Sequence, residues 1–76
     1  MSGLPIISGR QAVAALQRLG YESVRQKGSH IRMRHPLGGA RAPLTVPDHK
    51  ELKPGTLRAI IRDAGLNVDE FRELLE

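Results

Sequence analysis

Gly28 and Ser29 lie between two stretches with strand character, Tyr21–Lys27 and His30–His35. A Gly-X pair in that position predicts a two-residue type II′ hairpin turn. The turn dictates a register: Lys27 faces His30, Gln26 faces Ile31, Arg25 faces Arg32, Val24 faces Met33 and Ser23 faces Arg34. Side chains alternate faces along a strand. One face therefore carries Arg25, Lys27, His30, Arg32 and Arg34, and the other carries Val24, Ile31 and Met33. A one-residue slip would turn the arginines inward, so the pattern favours this register over its neighbours. Gln26 fits the apolar face poorly, and Tyr21 falls outside the alternation.

The rest of the chain must cover that apolar face. Ser8 and Gln11 have the spacing of a capping box. Ala12, Leu16 and Leu19, with Val13 beside them, follow at helical spacing up to Gly20. Pro36–Ala40 reads as a loop, and Ala42–Val46 as a third strand stopped by Pro47. Pro54 opens a second helix whose apolar positions are Leu57, Ile60, Ile61 and Ala64, with Gly65 after them. Asn67 and Glu70 repeat the capping logic before a last helix with Val68, Phe71, Leu74 and Leu75 on its buried side. The order is α-β-β-β-α-α. It predicts an α+β fold with helices on one face of a small antiparallel sheet, as a single domain over residues 1–76. A domain of 76 residues buries only about 60% of the surface its unfolded chain exposes, so the core is thin.

Charge is unevenly spread. Residues 1–50 hold eight Lys and Arg against two acids, whereas residues 51–76 hold four against six. The first part is suited to a polyanionic partner, nucleic acid or an acidic protein. A membrane surface fits less well, because the cations do not flank a strongly apolar helix. The chain has no cysteine, which removes disulfides, thiolate metal sites and cysteine nucleophiles, and suits the cytoplasm. The opening MSGLPIISG has neither a basic segment nor a long apolar run, so no secretory leader is expected. No apolar run approaches the ~18 residues of a membrane span.

The cationic face is where chemistry is expected. Like charges directly opposite, as at Arg25 and Arg32, cost about a few tenths of a kcal/mol, a cost that a bound anion offsets. Arginine suits phosphate oxygens through its bidentate fork. The plainer alternative is a basic edge that discourages strand-to-strand aggregation. His30 stands at the tip of this face beside Lys27. A histidine ringed by phosphate-binding cations can accept the proton of a ribose 2′-OH, or protonate a leaving 5′ oxygen, while the cations stabilise charge on the phosphorus. His35 falls on the core side and reads as structural. His49 lies in a turn after the third strand, where backbone hydrogen bonding is favoured over phosphate binding. A three-histidine metal site has no supporting carboxylate or cysteine. The P-loop, paired-carboxylate and serine-triad signatures are absent.

Five short elements carry a family resemblance: Lys27-Gly28-Ser29-His30, His35-Pro36, Val46-Pro47-Asp48-His49, Leu52-Lys53-Pro54-Gly55-Thr56-Leu57-Arg58 and Ala64-Gly65-Leu66. In this order and spacing the chain closely resembles the HicA family of toxins over about residues 10–75. The resemblance implies a double-stranded-RNA-binding-like fold, α-β-β-β-α, to which the last helix is a short addition. It also implies a metal-independent, cofactor-free mRNA interferase that cleaves mRNA and halts translation. A HicB-type antitoxin would cover the site and often bind operator DNA, with no direct DNA binding by the toxin alone. Transferred onto this chain, the catalytic histidine is His30, presented by the Gly28-Ser29 turn. The RNA-binding grouping of Arg25, Lys27, Arg32 and Arg34 rests on the hairpin register instead. The alternatives are a non-catalytic double-stranded-RNA-binding module, which reads RNA by helix and loop groups, and a domain that binds acidic proteins.

Overall fold

The computed structural model describes residues 3–76. Residues 1 and 2, part of the stretch read above for a leader, lie outside the described residues. The elements run α1 (Gly9–Leu19), β1 (Glu22–Lys27), β2 (His30–Arg34), β3 (Leu44–Pro47), α2 (Pro54–Asp63) and α3 (Val68–Leu74). The strands form one antiparallel sheet in the order β1-β2-β3, so the α+β class holds.

Local signals act where the sequence places them. The Ser8 hydroxyl accepts from the Gln11 amide at 3.1 Å, and the Gln11 side chain accepts from the Ser8 amide at 2.8 Å. Asn67 and Glu70 repeat this at α3, at 2.8 and 2.9 Å. Each cap satisfies amides that have no partner within the helix, a contribution of about 1 kcal/mol. Pro54 opens α2 without a side-chain cap, and the helix gives way at Ala64 before Gly65.

The helices cover one face of the sheet. Ile31, Met33, Leu44 and Val46 point into a core with Ala12, Leu16, Leu57, Ile60, Ile61 and Phe71. Phe71 is fully buried, so α3 completes the core. Arg18 helps hold α3 against α1, donating to the Leu74 carbonyl at 3.1 Å and to the Glu76 carbonyl. The start of α1 lies hard against the end of β3. A side-chain carbon at Gly9 would collide with the Pro47 backbone, and the Gly9 amide donates to the His49 carbonyl at 2.8 Å.

Two sequence expectations are corrected. The first is Val24, read above as a core residue paired with Met33. The ladder is regular from Lys27–His30 to Arg25–Arg32, then shifts by a bulge: Ser23 pairs with Met33, Glu22 with Arg34, and Val24 is left 49% exposed. A bulge inserts one residue and reverses the phase of the alternation beyond it. Without it Tyr21 would face solvent and Glu22 would face the core. With it Tyr21 is buried and Glu22 is exposed. A tyrosine buries about 150–250 Å², more than a valine can, and an unpaired buried carboxylate is far costlier than an exposed valine. The second correction is the third strand, which begins at Leu44 rather than Ala42. The Ala42 amide is taken by the Asp63 carbonyl at 2.8 Å and its carbonyl by the Tyr21 hydroxyl at 2.8 Å. Pro43 has no N–H to give the ladder.

Tyr21 therefore ties β1 to the segment before β3 and to the end of α2. Its ring meets His35 edge-on, with centroids 5.2 Å apart. Burial raises its phenol above the ordinary value of 10.0, and Asp63 adds to this while Arg41 opposes it. The folded protein thus holds the phenolic proton more tightly than the unfolded chain. This stabilisation is complete below the unfolded value and is lost as pH rises through the folded one. Tyr21 is the single tyrosine in the chain, so ultraviolet absorbance titration reads it alone. Phenolate is expected to appear with a midpoint above that of free tyrosine, together with loss of helical circular dichroism. An ordinary midpoint in the folded protein would contradict the buried hydrogen bond.

Candidate active site

The hairpin turn has the geometry its residues require. Gly28 adopts φ +59°, whereas Ser29 stays out of the left-handed region, matching the φ signs of a type II′ turn. His30 follows at once as the first residue of β2. It pairs with Lys27 on one side and Pro47 on the other, and its side chain lies on the face away from the helices. There it lines an open hollow of about 250 Å³ with Arg25, Lys27, Arg32 and Thr45.

No carboxylate lines this hollow, so the cations there are not internally neutralised. The Arg32 guanidinium donates to the Thr45 hydroxyl at 3.2 Å, across the β2–β3 pair. That bond orients one edge of the guanidinium and leaves the remaining donors for an anion. The Arg25 and Lys27 side chains have no hydrogen-bond or ion-pair partner among the described residues. The arrangement can hold a phosphate beside an imidazole without first breaking a protein contact.

The tip is braced from behind. The Arg10 guanidinium donates to both Asp48 carboxylate oxygens, at 3.2 and 3.1 Å, and to the Gln26 side-chain oxygen at 3.3 Å. The Gln26 amide group donates to the Gly28 carbonyl at 3.1 Å, and the Asp48 backbone amide to the Ser29 carbonyl at 2.6 Å. Gln26 is therefore on the helix side for a reason. It belongs to a polar brace that ties the turn to α1 and to the end of β3. The ion pair is exposed on its Arg10 side and worth at most about 1 kcal/mol. Its effect is on where His30 stands more than on stability.

The structure brings Arg25, Lys27, His30 and Arg32 together and leaves Arg34 apart. Arg34 shares their face but lines a separate hollow of about 380 Å³, beside Pro36, Leu37 and Arg41. His35 is structural: Nε2 lies 3.0 Å from the Leu19 carbonyl, and Nδ1 accepts from the Leu37 amide at 3.3 Å. Those partners assign the proton to Nε2 and leave no ring nitrogen free. The His49 ring is exposed, while its carbonyl takes the Gly9 amide. No group of three or more His, Cys, Asp or Glu side chains placed to hold a metal occurs among the described residues. A roomier hollow between α2 and α3, lined by Arg58, Ile61, Arg62, Leu66, Asn67 and Val68, carries no histidine or acid. Sequence reasoning missed Thr45, although a threonine between Leu44 and Val46 is placed outward by strand alternation. It also missed the Arg10–Asp48 pair, for which the misfit of Gln26 was the available clue.

No helix among the described residues is long and apolar enough to cross a membrane. A comparison of the sequence with curated proteins gives no match. The protein-family model described as HicA toxin of bacterial toxin-antitoxin matches residues 9–66. That span begins with α1 and ends just after α2, so it takes in the whole sheet, both helices beside it and the hairpin with His30. By this match over most of its length, the chain belongs to the HicA family of toxins of bacterial toxin–antitoxin systems.

Proposed function

We propose that the toxin acts as a metal-independent endoribonuclease on mRNA in the cytoplasm, with His30 as its proton-transfer group and a HicB-type antitoxin as its partner. The observation that carries this reading is the hollow at the hairpin tip, where one histidine stands among three cationic side chains with no acid to neutralise them. The ribose 2′-OH loses its proton as its oxygen bonds to the adjacent phosphorus. The bond from phosphorus to the 5′ oxygen breaks, and that oxygen takes up a proton. His30 carries one of these two protons. Lys27, Arg25 and Arg32 stabilise the charge that builds on the phosphorus oxygens. The products are a 2′,3′-cyclic phosphate and a 5′-hydroxyl. The clustering of cations and His30 on the open sheet face also favours this reading over a double-stranded-RNA-binding module, which meets RNA with helix and loop groups.

His30→Ala is expected to lower cleavage of mRNA by about 10²–10⁴-fold while RNA affinity stays within about tenfold, ~1.4 kcal/mol. Growth arrest on expression in a bacterial host should disappear with it. Wild-type cleavage by this variant would remove His30 from the chemistry, whereas RNA binding without cleavage by the unaltered protein would favour the binding-module reading. Arg32→Glu should weaken RNA binding and leave the circular dichroism of the fold unchanged, because Arg32 is exposed. Wild-type affinity should fall log-linearly with salt, with a slope near −0.7 for each phosphate held; a flat response would remove the phosphate contacts. Cleavage should survive EDTA, and activity lost to chelation and restored by a divalent ion would refute the histidine mechanism.

A further inference from the structure

Arg34, grouped by register with the RNA-binding cations, stands outside the hollow around His30. Its side chain has no hydrogen-bond or ion-pair partner among the described residues. It lies two residues beyond Arg32 and four beyond His30, on the same face of one strand. Alternate residues of an antiparallel strand are about 6.8 Å apart, a spacing comparable to the phosphate repeat of an extended ribose-phosphate chain. The three side chains thus form a row at roughly nucleotide spacing.

The neighbours grade that row. At the first level His30 is paired with Lys27, and at the second Arg32 is paired with Arg25. At the third, the bulge at Val24 has put Glu22 opposite Arg34. Positive charge is therefore concentrated beside the histidine and is offset by a carboxylate at the far end.

We propose that Arg34 is a distal phosphate subsite, and that a single extended strand of RNA lies along β2 with successive phosphates at the levels of His30, Arg32 and Arg34. The proposal rests on the ribonuclease reading and adds the form of the substrate and its footprint. A single strand fits for two reasons. The cations lie side by side on two neighbouring strands of one open sheet face rather than on two sides of a groove. Attack by the 2′-OH also needs that oxygen in line with the leaving 5′ oxygen, an alignment that an extended chain reaches and a stacked duplex resists. Glu22 weakens the third subsite, so its contribution is smaller than that of Arg32.

The test uses short RNAs built around a cleavage site mapped on mRNA, 2′-O-methylated at every other position so that one bond can break. Nucleotides are trimmed one at a time from each end. For wild type, removal of one distal phosphate on one side should lower kcat/KM roughly tenfold, the size of a single charge-assisted contact. Arg34→Gln should cost about as much on the full-length strand, and trimming that same phosphate should then make no further difference. Glu22→Gln should raise kcat/KM on the long strand only. Annealing the substrate to its complement should suppress cleavage. If Arg34→Gln and trimming act independently, if Arg34→Gln has no effect, or if the duplex is cut as well as the single strand, the subsite is wrong. His30-dependent cleavage in the same experiment would keep the nuclease reading intact. Fully 2′-O-methylated strands of the same lengths, followed by fluorescence anisotropy, read the subsite without any cleavage. There too, loss of the distal phosphate and Arg34→Gln should weaken binding by the same factor and fail to add.

Discussion

A slip of β2 by one residue against β1 would send Arg32 inward and bring Met33 to the surface. The pleat of the sheet makes this an all-or-none matter, because every side chain on a strand changes face together. Two features oppose the slip. The Gly28-Ser29 turn sets the pairing at Lys27 and His30, and the buried Ile31 and Met33 set it along β2. The bulge at Val24 then allows β1 to change phase once, after Arg25, so that Tyr21 enters the core without disturbing the pairs nearer the turn. The cationic face and the apolar face are two outcomes of this one ladder.

Each polar contact at the hairpin tip is weak when taken singly. The Arg10–Asp48 pair is exposed to solvent, and the Gln26 bonds compete with water. Their effect comes from convergence: α1, β1 and the end of β3 all reach the turn, which would otherwise be a free two-residue loop. In the catalytic role proposed for it, the His30 imidazole would benefit from such restraint more than from stability, since proton transfer depends on distance and angle. Gly9 belongs to the same arrangement. Its missing side chain lets the start of α1 approach Pro47 closely enough for Arg10 to reach Asp48.

What could be read from the chain follows the range of the forces involved. The caps at Ser8 and Asn67 join residues three positions apart and are visible in any local window. The turn and the outward set Arg25, Lys27, His30 and Arg32 are local as well, and they stand where alternation puts them. Val24 misled for the same reason: local alternation favours it inward, and only the fit of Tyr21 against His35 and Ala42 shows why it is not. Tyr21 and Ala42 are 21 positions apart, and Arg10 and Asp48 are 38 apart. Neither contact has a signature within a strand or a turn. The start of the third strand failed with them, because the groups that occupy Ala42 arrive from Tyr21 and Asp63.

The chain has only one tyrosine and one phenylalanine, and no tryptophan. Both rings lie in the interior, Tyr21 at 2% exposure and Phe71 at 0%. Among the described residues, the open side of the sheet is left without a phenyl, phenol or indole ring on which a nucleobase could stack. On the proposed ribonuclease reading, a polynucleotide resting there would be gripped by its sugar-phosphate thread, with its letters largely unread. A toxin acting in that way would discriminate more by the shape and slack of a message than by its spelling.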